Sequence, residues 1–175
     1  MKESFNIALK MIAIRLNNSN INWAITGSVG HLILGVHVYP KDIDIITDVD
    51  GAYKIEKIFN DYIIKNVQYS IQKKMKSYFG VLKINGIDIE IMGNVKNLIS
   101  GEWVPHVDWN NNIIYATIDD IKIPVLSLDY EYKIYKMLNK LSRLKLIEQR
   151  LKCELTNRST GRQGASAALQ PPAAG

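Results

Sequence analysis

Cysteine is nearly absent from this chain. Cys153 stands alone among 175 residues, so no internal disulfide can form and no cysteine pair can hold zinc. No run of about 20 apolar residues occurs, and the polar start Met1-Lys2-Glu3-Ser4 lacks the apolar block of a secretion signal. The expectation is a cytoplasmic protein with no membrane partner. No Gly-Lys-Ser/Thr follows a glycine turn, which excludes a P-loop, and Gly27, Gly30 and Gly35 do not make a dinucleotide fingerprint. An EF-hand aligned on Asp50-Gly51 would place Ile46 and Lys57 where acidic ligands are required. Neither sign of charge dominates. The formal net charge is +5, and about +3 without Arg158 and Arg162 near the C-terminus, a weak pointer to anionic ligands.

What is present suffices for one domain, since 47% of the residues are apolar. Phe5, Leu9, Ile12 and Leu16 recur at helical spacing and predict a helix over 4–18. A strand at 22–26, a short helix at 28–34 and a strand at 42–47 follow, and then a helix capped by Asp48 or Asp50 with the stripe Ile55, Ile58, Phe59, Tyr62 and Ile63. The pattern turns to β at 67–73, 79–84 and 87–92, with Asn85-Gly86 as a hairpin turn. A helical turn is expected at 94–100, a loop at 103–106, and a second hairpin pairing 113–117 with 121–125.

Ser127 caps a long final helix running to Leu155, with Asp129 and Glu131 in its first turn, where the dipole favours negative charge. Lys133, Lys136, Lys140 and Arg143 follow 3-4-3 spacing and would form one basic row. From Asn157 the composition falls into Gly, Ala, Ser, Gln and Pro, so the domain is drawn at 1–156, with a flexible tail at 157–175.

The chemistry-bearing pattern is Thr26-Gly27-Ser28, then Lys41-Asp42-Ile43-Asp44-Ile45-Ile46, then Ile87-Asp88-Ile89-Glu90-Ile91. On a strand, Asp42 and Asp44 leave the same face while the isoleucines enter a core. Carboxylates converging at a sheet edge repel unless a cation lies between them, and oxygen clusters of this kind suit Mg²⁺ shared with substrate phosphates. Gly27 would let backbone approach a phosphate, and Ser28 and the following N–H groups would donate to it.

Over residues 22–92 this pattern resembles the nucleotidyltransferase superfamily of DNA polymerase beta-like folds: Gly-Ser, a short helix, Asp-hydrophobic-Asp, then a third acid. It is most similar to the small stand-alone branch that includes antibiotic nucleotidyltransferases and toxin-type enzymes. That branch often carries Arg and Thr before the first Asp, where this chain has Val38 and Pro40 and keeps Lys41. The resemblance implies an α+β fold, a short mixed twisted sheet flanked by helices with a long C-terminal helix. It implies transfer of a nucleoside monophosphate from an NTP to an acceptor hydroxyl, with Mg²⁺ or Mn²⁺ held by Asp42, Asp44 and Glu90, Asp88 being the alternative third acid. Gly27, Ser28, Lys41, Lys140 and Arg143 would meet the nucleotide. His31 is more readily a packing residue than a catalytic one, and Trp103, Tyr115 or Tyr78 would serve if a base is stacked. The acceptor stays open between a small molecule, tRNA and protein, and so does the oligomeric state. A domain that binds NTP or a partner without turnover, as in half of a toxin–antitoxin pair, is the alternative.

Overall fold

The computed structural model describes residues 1–159, and side chains through Cys153. The early elements follow the sequence pattern: α1 (Glu3–Asn17), β1 (Trp23–Thr26), α2 (Gly27–Ile33), β2 (Ile43–Thr47) and α3 (Val49–Ile58). Asp48 caps α3, its Oδ1 accepting from Gly51 N at 2.6 Å. The helix stops at Ile58 and a 3-10 turn spans Asn60–Tyr62, so Ile63, expected on the helical stripe, instead opens strand β3 (Ile63–Gln72). Next come β4 (Met75–Ile84) and β5 (Ile87–Ile99), joined at Asn85-Gly86 with φ of 51° and 77°, the left-handed pair that a two-residue hairpin needs.

Residues 94–100 and 103–106 correct the sequence reading. β5 continues through Ile99 and pairs with β6 (Glu102–Pro105) across a turn at Ser100-Gly101. The helical turn and the loop expected there are a hairpin, because Val95 and Asn97 are buried at alternate positions, a period of two. The second expected hairpin is present as β7 (Ile113–Ile118) and β8 (Ile121–Leu126), turning at Asp119-Asp120. The strands form one sheet in the order β3-β4-β5-β2-β1-β8-β7, with β6 beside β5. The β2–β5 and β1–β8 pairs are parallel and the rest antiparallel.

Strand alternation gives the sheet two faces. Ile25, Ile43, Ile45, Ile89, Ile91, Ile123 and Val125 face α1 and α3 in the main core, with Leu9, Ile12, Ile55 and Phe59. Ala24, Ile46 and Leu126 point the other way, against Tyr130 and Ile134. These last two lie on α4 (Leu128–Met137), which Ser127 caps, accepting from Tyr130 N at 3.3 Å.

The long final helix is broken. α4 ends at Met137, and α5 runs over Leu141–Ser159. Asn139 takes φ 53°, its N–H bonds Lys136 O at 3.2 Å, and Lys140 N bonds Tyr135 O at 2.9 Å. This is the Schellman stop, with Asn in the left-handed place usually taken by Gly. α5 folds back so that Leu144 and Ile147 pack with Tyr135. α5 also carries helix past the expected boundary at 156. The tail expected over 157–175 otherwise lies outside the described residues. Among the described residues no helix is long and apolar enough to cross a membrane.

Candidate active site

The face of the sheet opposite the main core carries polar residues at one end and apolar ones at the other. Thr26 follows Ala24 on β1, Asp44 precedes Ile46 on β2, and Glu90 precedes Met92 on β5. All but Ala24 line one cleft of about 330 Å³. Parallel pairing sets Asp44 directly beside Glu90, and Asp42, two residues before Asp44, projects to the same side. On β5 a bulge extends the cleft. Asn94 takes φ 51°, and one extra residue lies between the pairs Tyr78–Gly93 and Lys76–Lys96. The alternation therefore shifts by one, and Val95 and Asn97 join the face of Glu90 and Met92.

The carboxylates are electrostatically coupled. The carboxyl group of Asp44 is pushed up from 3.8 to about 7, first by burial, then by the charges of Asp42, Glu90 and Glu131, with Arg143 opposing. Burial, then Asp42 and Asp88, raise Glu90. Mutual repulsion is thus second to burial in disfavouring ionised Asp44. Asp88 is half-way out to solvent, pairs with Lys83 at 3.0 Å and is not among the cleft's lining residues, so of the two candidate third acids it is Glu90 that enters the cleft.

Gly27 stands where β1 becomes α2, at φ 65°. A side chain there would collide with the carboxylate of Asp44. Its N–H donates to Glu131 Oε1 at 3.0 Å, so it is spent on the protein rather than offered to a phosphate. Thr26 Oγ1 donates to the same oxygen at 2.5 Å, and His31 Nε2 lies 3.1 Å from Glu131 Oε2. Glu131 is 4% exposed. Burial alone would raise its carboxyl, but hydrogen bonds and charge from His31, with hydrogen bonds from Thr26 and Tyr135, bring it below its ordinary value. The residue expected to serve the helix dipole thus fastens the Gly-Ser turn to α4. His31 is likewise part of this buried support. The sequence did carry a signal, since Glu131 falls on the apolar stripe of α4 beside Tyr130, Ile134 and Tyr135.

Ser28 lines the cleft together with Lys140 and Arg143. Lys133 and Lys136 are exposed on α4 and absent from the lining. The break at Asn139 therefore dissolves the predicted basic row and leaves its last two members at the site. Lys41 lies outside this cleft, in an open neighbouring hollow with His37 and Tyr39 that shares Ser28, Asp42 and Arg143. None of the aromatics expected to stack on a base reaches the cleft. Tyr78 packs against Tyr53 and Tyr69, Lys76 lies over Trp103, and Tyr115 is exposed on β7. The aromatic rings lining the cleft are those of Tyr130, Tyr135 and His106.

Comparison with known proteins decides the family. The family model for aminoglycoside-2''-adenylyltransferase matches residues 8–149. A candidate nucleotidyltransferase from Thermotoga maritima is 38% identical, with a TM-score of 0.75 over 87% of this chain and 95% of that one. The chain belongs to the aminoglycoside-2''-adenylyltransferase family. The solved structures it resembles are described as nucleotidyltransferases, and the Gly-Ser…Asp-x-Asp pattern is that of the wider polymerase beta-like fold. Two antibiotic-modifying enzymes share the fold at low identity. The lincosamide adenylyltransferase LnuA, solved with lincomycin, is 15% identical with a TM-score of 0.51, covering 85% of this chain and 96% of that one. ANT(2'')-Ia, solved with adenylyl-2''-tobramycin, is 12% identical with a TM-score of 0.52, covering 90% and 99%. No curated protein matches.

Among the described residues no three His, Cys, Asp or Glu side chains are gathered so as to hold an ion unaided. The donor set still suits Mg²⁺ or Mn²⁺. These ions favour oxygen, and Mg²⁺ is commonly held by one or two carboxylates while substrate phosphates and waters fill the remaining places. Asp44, buried beside two other acids, is a group whose ionised form a cation would stabilise.

Proposed function

We propose that this protein transfers a nucleoside monophosphate, AMP by the family's description, from an NTP to the hydroxyl of a small molecule, releasing pyrophosphate. The observation that carries the reading is the pairing of Asp44 with Glu90 on adjacent parallel strands, with Asp42 alongside, in a cleft that also holds Ser28 and Arg143. The cleft volume of about 330 Å³ is of the size that takes small molecules, and a small-molecule acceptor follows the family's description rather than tRNA or protein.

Asp42 and Asp44 would hold the divalent ions, with Glu90 joining them on the acceptor side. The ions would supply charge neutralisation at both the attacking and the leaving oxygen. Glu90, raised by burial and by its acidic neighbours, is suited to take the acceptor's proton. Arg143 and Lys140 would neutralise the β- and γ-phosphates, and Lys41 would reach them from the neighbouring hollow. Ser28 would orient the chain of phosphates. Glu131 would keep the Gly27 turn fixed against Asp44, so that phosphate and carboxylates keep their spacing through turnover.

Calorimetry with ATP and AMP tests the charge assignment. Binding of ATP should require Mg²⁺ or Mn²⁺ and weaken sharply in chelator. The double variant Lys140→Ala, Arg143→Ala should lose roughly 10-fold or more in ATP affinity, about 1.4 kcal/mol, and much less in AMP affinity. Equal losses for both nucleotides, or equal ATP affinity with and without metal, would refute the reading.

A further inference from the structure

Tyr78 and Trp103 do not reach the cleft because they lie on the other face of the sheet, at the end where α3 begins to cover it. Tyr78 pairs with Gly93, which sits beneath Asp48 and Ala52 at the start of α3. From this row outward the same face carries Tyr69, Ile71, Lys76, Lys96, Leu98 and Trp103. Tyr69 pairs with Tyr78, Ile71 and Lys96 both pair with Lys76, and Leu98 pairs with Trp103, and residues directly opposite on adjacent strands share a face. Tyr69 and Ile71 are 55% and 63% exposed, and the other four are partly exposed. The ring of Tyr69 lies 5.5 Å from that of Tyr78, which lies 5.9 Å from the exposed ring of Tyr53 on α3.

The charge at this end is of one sign. Residues 63–84, the β3–β4 hairpin, contain five lysines and no acid. Lys65 lies over Phe79 and Lys83 pairs with Asp88, both further along the hairpin. Lys73, Lys74, Lys76 and Lys96 make no ion pair among the described residues. The acids of the adjoining elements are engaged or turned away: Asp50 holds Lys54 at 2.6 Å, Glu56 accepts from Val67 N, and Glu102 alternates with Trp103 to the other side of β6. Lys76 and Lys96 stand directly opposite each other on adjacent strands, an arrangement that costs stability unless an anion lies over it. Lys76 Nζ is also 4.0 Å from the centre of the Trp103 ring, which holds the ammonium among the exposed rings.

We propose that this face binds single-stranded nucleic acid, with Lys73, Lys74, Lys76 and Lys96 meeting phosphates and the rings of Tyr53 and Tyr69 stacking on bases. A sheet surface that sets rings among unpaired cations offers each half of a nucleotide a partner, ammonium for phosphate and ring for base. A second copy of this chain is disfavoured as the occupant, because a two-fold contact here would bring two sets of unpaired lysines together. A duplex offers the phosphates but hides the base faces, and an acidic protein uses the lysines without the rings. The surface lies on the opposite side of the sheet from the carboxylate cleft, and the inference does not depend on the transfer reaction.

The test is fluorescence anisotropy on the full chain with labelled oligonucleotides of about 12 residues, a length of the order that single-strand sites take. The probes are oligo-uridylate, oligo-thymidylate and a duplex, with poly-glutamate as a competitor that carries charge alone. A single strand should bind at least about 10-fold more tightly than the duplex, and any preference between the two single strands tells RNA from DNA. Tyr69→Ala should weaken binding roughly 10-fold, while Tyr69→Phe, which keeps the ring, restores it. Lys76→Ala combined with Lys96→Ala should lower the slope of log K against log salt by about 1.4, the share of two phosphates on a single strand, with no fall in melting temperature. Equal affinity for the duplex, or no binding at about 50 mM salt, would overturn the inference. So would displacement by poly-glutamate at equal charge, which would make the partner an acidic protein, or an equal loss from Lys140→Ala with Arg143→Ala, which would put the strand in the cleft.

Discussion

Asp44→Asn should abolish nucleotide transfer and at the same time stabilise the ligand-free protein at pH 7. Loss of a carboxylate proposed to hold the metal would remove several kcal/mol of transition-state stabilisation, or roughly 10³-fold in rate. The stability effect has the opposite sign. Asp44 is raised from 3.8 to about 7, so between those values the folded state keeps a proton that the unfolded state releases. Stability therefore falls as pH rises through that window, by at most about 1.4 kcal/mol per pH unit. Asparagine has no proton to lose, and at pH 7 the variant should gain roughly 1–3 kcal/mol. Glu90 is raised as well and leaves part of the decline in place. Melting curves from pH 4 to 8 should show the variant with a flatter profile that exceeds the natural protein at neutrality. A variant that melts well below it at pH 7, as loss of the core residue Ile43 would produce, would make Asp44 a structural group.

Glu131→Ala should be among the most destabilising changes on the site's own elements. It strips the acceptor from the Gly27 N–H, the Thr26 hydroxyl and His31 together, and buried groups left without partners cost about 3–5 kcal/mol when an ionic cluster is broken this way. For a chain of this size that is a fall of roughly 10 °C in melting temperature. Asp129 lies in the same first turn of α4 but is exposed, and its replacement by alanine should cost no more than the roughly 0.3–1 kcal/mol of a dipole interaction. Because Glu131 is held below its ordinary value of 4.5, its contribution is present above that value and lost as pH falls through the lowered one, opposite in sign to Asp44. Equal small effects from the two alanine variants would reduce Glu131 to the helix-terminus role its position suggests.

That contrast shows which parts of the site were legible in the sequence. That Asp42 and Asp44, and Asp88 and Glu90, leave the face opposite the isoleucines was readable because strand alternation is local, whereas the preference for Glu90 over Asp88 came from the resemblance and not from the alternation. Gly27 was readable as a special position, yet its reason is tertiary, namely the approach of Asp44 and the bond to Glu131 across more than a hundred residues. Glu131 was hidden by an equally good local explanation. The hairpin over 94–105 was missed because a bulge at Asn94 breaks the two-residue period just where the pattern must be read. The break after Met137 was missed because Asn139, not Gly or Pro, supplies the left-handed stop. Without that break Lys140 and Arg143 look like two more members of a solvated row.

Transfer of a nucleoside monophosphate at Asp42, Asp44 and Glu90 can be measured directly. The direct measurement incubates the protein with Mg²⁺ and ATP labelled at the α-phosphate, in parallel with ATP labelled at the γ-phosphate, over a small-molecule extract. The natural protein should move the α-label onto a metabolite and release pyrophosphate in equal amount, while the γ-label stays in pyrophosphate and Asp44→Asn transfers neither. Transfer of the γ-label to the acceptor, or α-label transfer that survives Asp44→Asn, would contradict it.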